Sequence, residues 1–210
     1  MQTAAFLDSF YQAKKRLTFI LLCLIAFLLL FAKKNFIEAE TAAFEFLQDR
    51  PEGSFFQIIN ALQYLSIPII YLWKVTVISF VVWVGCFTFG YRVTYSNCWT
   101  IVLTAEFIFI IPELIKIIWF LFIETDPTFR EVQVFYPFSI LSLTDYDSIS
   151  SRYHYPLKAL NIFEIGYWLL LIRGVHAFAK KEIKIAVLIV ACSYVLLFLL
   201  WLAFYIAVYN

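Results

Sequence analysis

Glu106, Glu113 and Lys116 stand inside an apolar run, Ile101 to Ile123 (IVLTAEFIFIIPELIKIIWFLFI), that is long enough to cross a bilayer. Two carboxylates and an ammonium in such a stretch have the chemistry of a proton relay, of a general acid and base, or of counter-ions that neutralise one another. About 20 apolar residues span the hydrocarbon core, and a charge near the centre of such a helix costs about 2.5 to 3.5 kcal/mol on insertion scales. These three side chains are therefore expected to face protein, water or one another. Glu106 and Glu113 share a helix face, and Lys116 follows Glu113 by one turn and can reach back to it. Pro112 cannot donate to the carbonyl of Ile108, which predicts a kink beside Glu113.

Four more polar residues belong to this set by depth. Consecutive spans run antiparallel, so Lys74, Lys116 and Glu164 are expected in one half of the bilayer and Glu106 and Arg173 in the other, with Glu113 near the midplane. Asn161 stands one turn before Glu164. The expected seam is Lys74, Glu106, Glu113, Lys116, Asn161, Glu164 and Arg173, with charges balanced as intramembrane ionisable groups usually are. Glu164 and Arg173 leave their helix on opposite sides, so Lys116 with Glu164 is the expected ion pair and Arg173 is expected to snorkel toward the basic turn after its span.

The elements that must position these groups follow from composition. The 210 residues are 63% hydrophobic and 20% aromatic, whereas apolar residues make up about 45 to 50% of a soluble domain. The fold class is therefore all-α, a polytopic transmembrane bundle forming one membrane domain over residues 1-210. Five spans are predicted, at 17-32, 67-90, 101-123, 157-179 and 185-208. Interfacial amphipathic helices flank them. Residues 1-16 set Phe6, Leu7, Phe10 and Tyr11 at helical spacing before Lys14, Lys15 and Arg16, and Phe55 to Leu65 repeats the pattern ahead of the second span. No small-residue cleavage site follows the first span, which is read as a retained helix. Five spans put the termini on opposite sides, and the lysine clusters tight against span ends place the N-terminus inside.

Residues 124-156 form a long connection in which Phe129, Phe135, Tyr136, Phe138, Tyr146, Tyr153 and Tyr155 alternate with acids. Connections of that length carry function or fold onto something, and the aromatics suit the membrane interface or the mouth of the bundle. Asp145 and Asp147 read as a solvated turn, since no EF-hand pattern accompanies them. Cys23, Cys86, Cys98 and Cys192 have neither metal-ligand nor disulfide spacing and read as small core residues. His154 and His176 read as surface or interfacial. No H-E-x-x-H, G-x-S-x-G or Gly-rich phosphate loop occurs, so neither an enzyme, a metal nor a cofactor is expected. A net charge of +1 gives no reason to expect nucleic acid.

From Pro156 to Val175 the chain reads PLKALNIFEIGYWLLLIRGV. Together with five spans and an aromatic connection between the third and fourth, this resembles the Yip-domain membrane proteins. Bacterial members open the fourth span with a similar N-x-F-E/T-x-x-x-W/Y pattern, matched here by Asn161, Phe163, Glu164, Tyr167 and Trp168. The resemblance covers the chain from Ile67 onward and implies a non-enzymatic integral bundle with a cytoplasmic N-terminus. Eukaryotic relatives act with small GTPases through a long cytosolic N-terminal region. That region does not precede the first span here, so a bacterial-type member in the cytoplasmic (inner) membrane is expected. The function expected is structural: a scaffold or complex subunit whose partners are membrane lipids and other membrane proteins. The alternative is a small transporter or channel component using Glu106, Glu113 and Lys116.

Overall fold

The computed structural model describes residues 11, 14–38, 53–124, 127–144, 146–179 and 182–209. Among them the fold is all-helical, apart from a single isolated backbone bridge between Ser139 and Asn161. Among the described residues four helices are long and apolar enough to cross a membrane: Lys15–Ile37, Ala61–Thr88, Ile162–Ala179 and Ile183–Val208. The side-chain distribution is inverted relative to a soluble protein. Glu106 is fully buried and Glu164 only 6% exposed, while Trp73 is 72%, Phe87 73% and Phe122 77% exposed. Apolar side chains pointing outward around buried charges suit hydrocarbon as the solvent, and the chain is a multi-pass membrane protein.

Helix α1 (Lys15–Lys33) is continued by a π-helical turn, Lys34–Glu38. Its basic ends suit a span whose lysine stems cross the hydrocarbon boundary. Most of the expected interfacial segment 1-16 lies outside the described residues. Tyr11 is buried, and its hydroxyl donates to the Leu170 carbonyl at 2.8 Å.

Helix α2 is unbroken from Gly53 to Thr88. The separate interfacial helix expected at Phe55 to Leu65 is thus the first part of the span's own helix. At 36 residues its rise of about 1.5 Å per residue carries it well past a hydrocarbon core of about 30 Å. Pro68 sits inside it, where the Ser66 hydroxyl donates to the Gln63 carbonyl. The helix ends at Gly90, whose φ of 73° lets the Tyr91 N–H turn back to the Cys86 carbonyl at 2.8 Å.

The third predicted span starts earlier than expected and is not one α-helix. Helix α3 (Tyr95–Ala105), capped by the Thr94 hydroxyl, passes into a 3₁₀ segment at Glu106–Phe109, and α4 (Ile110–Phe122) follows. Pro112 supplies the reason. With no N–H for the Ile108 carbonyl, it fits best in a first turn. The helix therefore tightens ahead of it and restarts at Ile110. The irregularity begins at Glu106, two turns before the kink expected beside Glu113.

The long connection is folded. Helix α5 (Phe129–Val134), 3₁₀ turns at Leu141–Leu143 and Tyr146–Ser148, and α6 (Ser151–Ala159) occupy it. Val132 and Leu141 are buried, and Phe135 packs on Trp119 and Phe120 with ring centroids 5.5 and 5.2 Å apart. The aromatics thus tie the connection to α4. His154 stacks on Tyr146 at 3.9 Å and sets its Nε2 near the Tyr146 and Ile149 carbonyls, an internal brace. The side chains of Asp145 and Asp147 lie outside the described residues.

Helix α5 opens with a complete capping box. The Thr128 hydroxyl accepts from the Glu131 N–H, and the Glu131 carboxylate accepts from the Thr128 N–H and hydroxyl, each at 2.7 Å. Those donors hold the exposed Glu131 carboxyl below its ordinary value. A depressed acid contributes stability above its unfolded pKa and loses it as pH falls through the folded one. Amide exchange across 129–134 should therefore speed up below the ordinary carboxylate range in wild type, and Thr128→Ala should show fast exchange already at neutral pH. Equal exchange in both proteins at neutral pH would contradict the box.

The fourth predicted span begins at Ile162. Residues 157–159 end α6, the chain turns at Leu160 and Asn161, and α7 runs Ile162–Ala179. The last span is α8 (Ile183–Val190), a π-helical turn at Ala191–Val195, and α9 (Leu196–Val208). Helix α3 is central: every residue from Ile101 to Ala105 is buried. Two glycines admit close approaches to the core. A Cβ on Gly174 would meet Ile101 at 2.4 Å, and one on Gly85 would meet the Ser193 Cβ at 2.7 Å, the small-residue packing common between membrane helices.

Candidate functional site

Two carboxylates organise the interior, and each is set by a local departure from α-helix. Glu106 is the first residue of the 3₁₀ segment. Its Oε2 accepts from Lys74 Nζ of α2 at 2.8 Å, with Glu106 wholly buried and the Lys74 side chain 38% exposed. The ammonium also lies over the Phe109 ring, 4.3 Å from its centroid, and 5.9 Å from that of Tyr167. Glu106 Oε1 and the Tyr167 hydroxyl are both buried outside ordinary hydrogen-bond geometry, and the group each one faces is the other.

Glu164 is set by the cap before it. Asn161 Oδ1 accepts the Glu164 N–H at 2.9 Å while Asn161 Nδ2 donates to the Lys158 and Ala159 carbonyls. One amide thus closes the end of α6 and opens α7. Glu164 Oε1 then accepts from Trp168 Nε1 at 2.9 Å and from the Tyr194 hydroxyl at 2.8 Å. Tyr194 belongs to the π-helical turn, a feature that often appears where a side chain is aimed at a site. Tyr167 bridges the two carboxylate nodes, with its ring 5.1 Å from Phe109 and 5.3 Å from Tyr194.

Of the residues expected in one seam, Lys74 meets Glu106 and Asn161 caps Glu164, whereas Lys116, Glu113 and Arg173 do not join them. Lys116 does not pair with Glu164; it is buried and donates to the Phe135 carbonyl at 3.1 Å, fastening the folded connection to α4. Glu106 takes Lys74, so its expected neighbour Arg173 is half-buried and makes no ion pair among the described residues. The reason is depth. With α2 crossing from Ala61 and α3 starting at Tyr95, Lys74 and Glu106 both fall near the middle of their segments. Glu113 is half-buried and makes no hydrogen bond or ion pair among the described residues. Its charge is felt at Lys158, outside the spans, where burial pulls the ammonium pKa down and Glu113 opposes the shift.

Tyr194 went unnoticed in the sequence. The signal available was the Ser193–Tyr194 pair, polar hydroxyls in the middle of an uncharged apolar run. Among the described residues no group of three or more His, Cys, Asp or Glu side chains is placed to hold a metal ion. Chemically the arrangement neutralises charge and joins helices. Lys74–Glu106 closes α2 on the 3₁₀ segment, and Glu164 with Tyr194 closes α7 on the last span.

Compared with known proteins, the chain matches no family model, no curated protein and no solved structure.

Proposed function

We propose that the protein is a non-enzymatic membrane scaffold or complex subunit of the Yip-domain kind. In this reading it crosses the bacterial cytoplasmic membrane five times with its N-terminus inside. The fifth crossing is the broken helix Tyr95–Phe122, whose 3₁₀ segment begins at the fully buried Glu106 and packs its other three residues partly against the core, which suits irregular backbone at membrane depth. Helices α5 and α6 lie at the interface as the surface that holds lipids and membrane partners. The observation that carries this reading is how the buried charges are used: Lys74, Glu106, Lys116 and Glu164 each make a contact between elements, which is the role of interhelical glue. Neither Lys74 nor Glu106 lines either of the two grooves beside the folded connection.

A second reading, a transporter or channel component, draws on the buried, loosely matched Glu106 Oε1 and Tyr167 hydroxyl beside a 3₁₀ break, since intramembrane carboxylates also mark ion paths. One experiment separates the two. Protein reconstituted in vesicles under a pH gradient should pass no more protons than empty vesicles. Flux above that background that disappears in Glu113→Gln would replace the scaffold with the transporter.

A further inference from the structure

Between the last turns of α4 and the first turns of α7 lies an open groove of about 700 Å³, within the range of about 300 to 1,000 Å³ that ligand sites occupy. Ile115 and Trp119 form one wall, Ile165 and Trp168 the other, and the turn around Phe138 the rim. The rim is held firmly. Phe138 takes a φ of 57°, and the bonds from the Ile162 N–H to the Phe138 carbonyl and from the Ile140 N–H to the Leu160 carbonyl fasten it to the start of α7. Phe138 is 65% and Leu143 86% exposed. Apolar surface offered this openly marks a docking or membrane site, and this one lies where a membrane-compatible helix begins.

Four polar side chains line the groove, Ser139, Ser142, Asn161 and Glu164, and most of their hydrogen-bonding capacity is spent. Asn161 is used in its double cap, Ser139 donates to Tyr136 and Ser142 to Ser139. Glu164 also lines the groove, and its Oε1 is taken by Trp168 and Tyr194, whereas its Oε2 has no partner among the described residues. A carboxylate oxygen left unpaired in an otherwise apolar lining, on a residue only 6% exposed, asks for a cationic donor attached to a chain.

We propose that this groove holds one acyl chain of a bilayer phospholipid whose primary-ammonium headgroup meets Glu164. The proposal rests on the scaffold reading and names its lipid partner. It explains why the folded connection is stitched to α7 at Phe138–Ile162: the stitch builds the wall that a lipid chain lies against. Charge complementarity favours an aminophospholipid over an anionic lipid, whose phosphate and glycerol would bring net negative charge to Glu164.

The test uses the full chain in vesicles doped with a phosphatidylethanolamine carrying a photoreactive acyl chain, beside a matched phosphatidylglycerol probe. Cross-linked peptides are read by mass spectrometry. Labelling should concentrate in 138–143 and 162–168 and be several-fold stronger for the ethanolamine probe. Ile165→Trp, at a half-exposed groove position, should cut that labelling several-fold with an unchanged melting profile. Glu164→Gln should equalise the two headgroups while chain labelling persists. Equal labelling by both probes in wild type, labelling indifferent to Ile165→Trp, or cross-links that join a second copy or another protein in place of lipid would overturn the proposal. Proton flux is measured on the same vesicles. Groove labelling that fails without flux discards the lipid and leaves the scaffold, whereas Glu113-dependent flux discards the scaffold and leaves the labelling to decide the groove.

Discussion

Replacing Lys74 with methionine is expected to destabilise the solubilised protein by about 3 kcal/mol, the lower end of the cost of breaking a buried ion pair by removing one partner. Glu106 is fully buried, and its Oε1 already lacks a donor in ordinary hydrogen-bond geometry, so losing Lys74 leaves a carboxylate with no compensating charge in reach. The lower end applies because the Lys74 side chain is 38% exposed and is partly solvated in the folded protein. Methionine matches the length of the lysine stem and removes the ammonium together with its contact over the Phe109 ring, so the loss is electrostatic and not a matter of volume. Glu106→Gln in the Lys74→Met background should then recover most of the loss, because the stranded charge is gone. Chemical unfolding of the two single variants and the double gives the coupling directly. Single variants that each stay within about 0.5 kcal/mol of wild type, the usual range for unremarkable surface changes, would show that the pair does not hold α2 to the broken helix.

The pairing of Lys74 with Glu106 also shows what the sequence could and could not say. Apolar runs at 17-32, 67-90 and 185-208 were legible because length and hydropathy are local properties, and helices cover the first and last and all but the final two residues of the second. That Glu106, Lys116 and Glu164 would turn away from lipid was legible too, since charge in hydrocarbon is costly wherever the helix is rotated. Partner choice was not. It depends on relative depth, and depth moved when α2 extended back to Gly53 and α3 started at Tyr95. Asn161 and Glu164 do carry a readable helix start, an N-cap residue with an acid three positions on. Taking it at face value would have begun the span at Ile162 instead of Leu157. The 3₁₀ tightening ahead of Pro112 and the π-helical turn at Tyr194 lie further out of reach, because each is a compromise between a missing donor or an extra residue and the packing around it. The folded state of residues 129–159 was hinted at only by the aromatic count, and the segment 39–52 lies outside the described residues.

The remaining large effect is at the other carboxylate. Glu164→Ala should lower stability by about 1 to 3 kcal/mol: hydrogen bonds between membrane helices average about 0.6 kcal/mol, two are lost together, and buried donors left unmet cost more than the bonds were worth. The donors at risk are Trp168 Nε1 and the Tyr194 hydroxyl, both bound to the same oxygen. Trp168→Phe and Tyr194→Phe each remove one donor and leave Glu164 its other partner, so each single change should cost less than the loss of the acceptor. Glu164→Gln keeps an acceptor for both and should be milder still. The decisive comparison is Glu164→Ala built on Trp168→Phe and Tyr194→Phe together. With no donor left to strand, the further loss should be small, because removing both sides of a polar contact is far cheaper than removing one. Melting in detergent, with accumulation in the membrane as a second readout, measures each step. If Glu164→Ala melts and accumulates like wild type, the joint between α7 and the last span is carried by the ring contact of Tyr167 with Tyr194. The free oxygen of Glu164 would then have ligand binding as its remaining role.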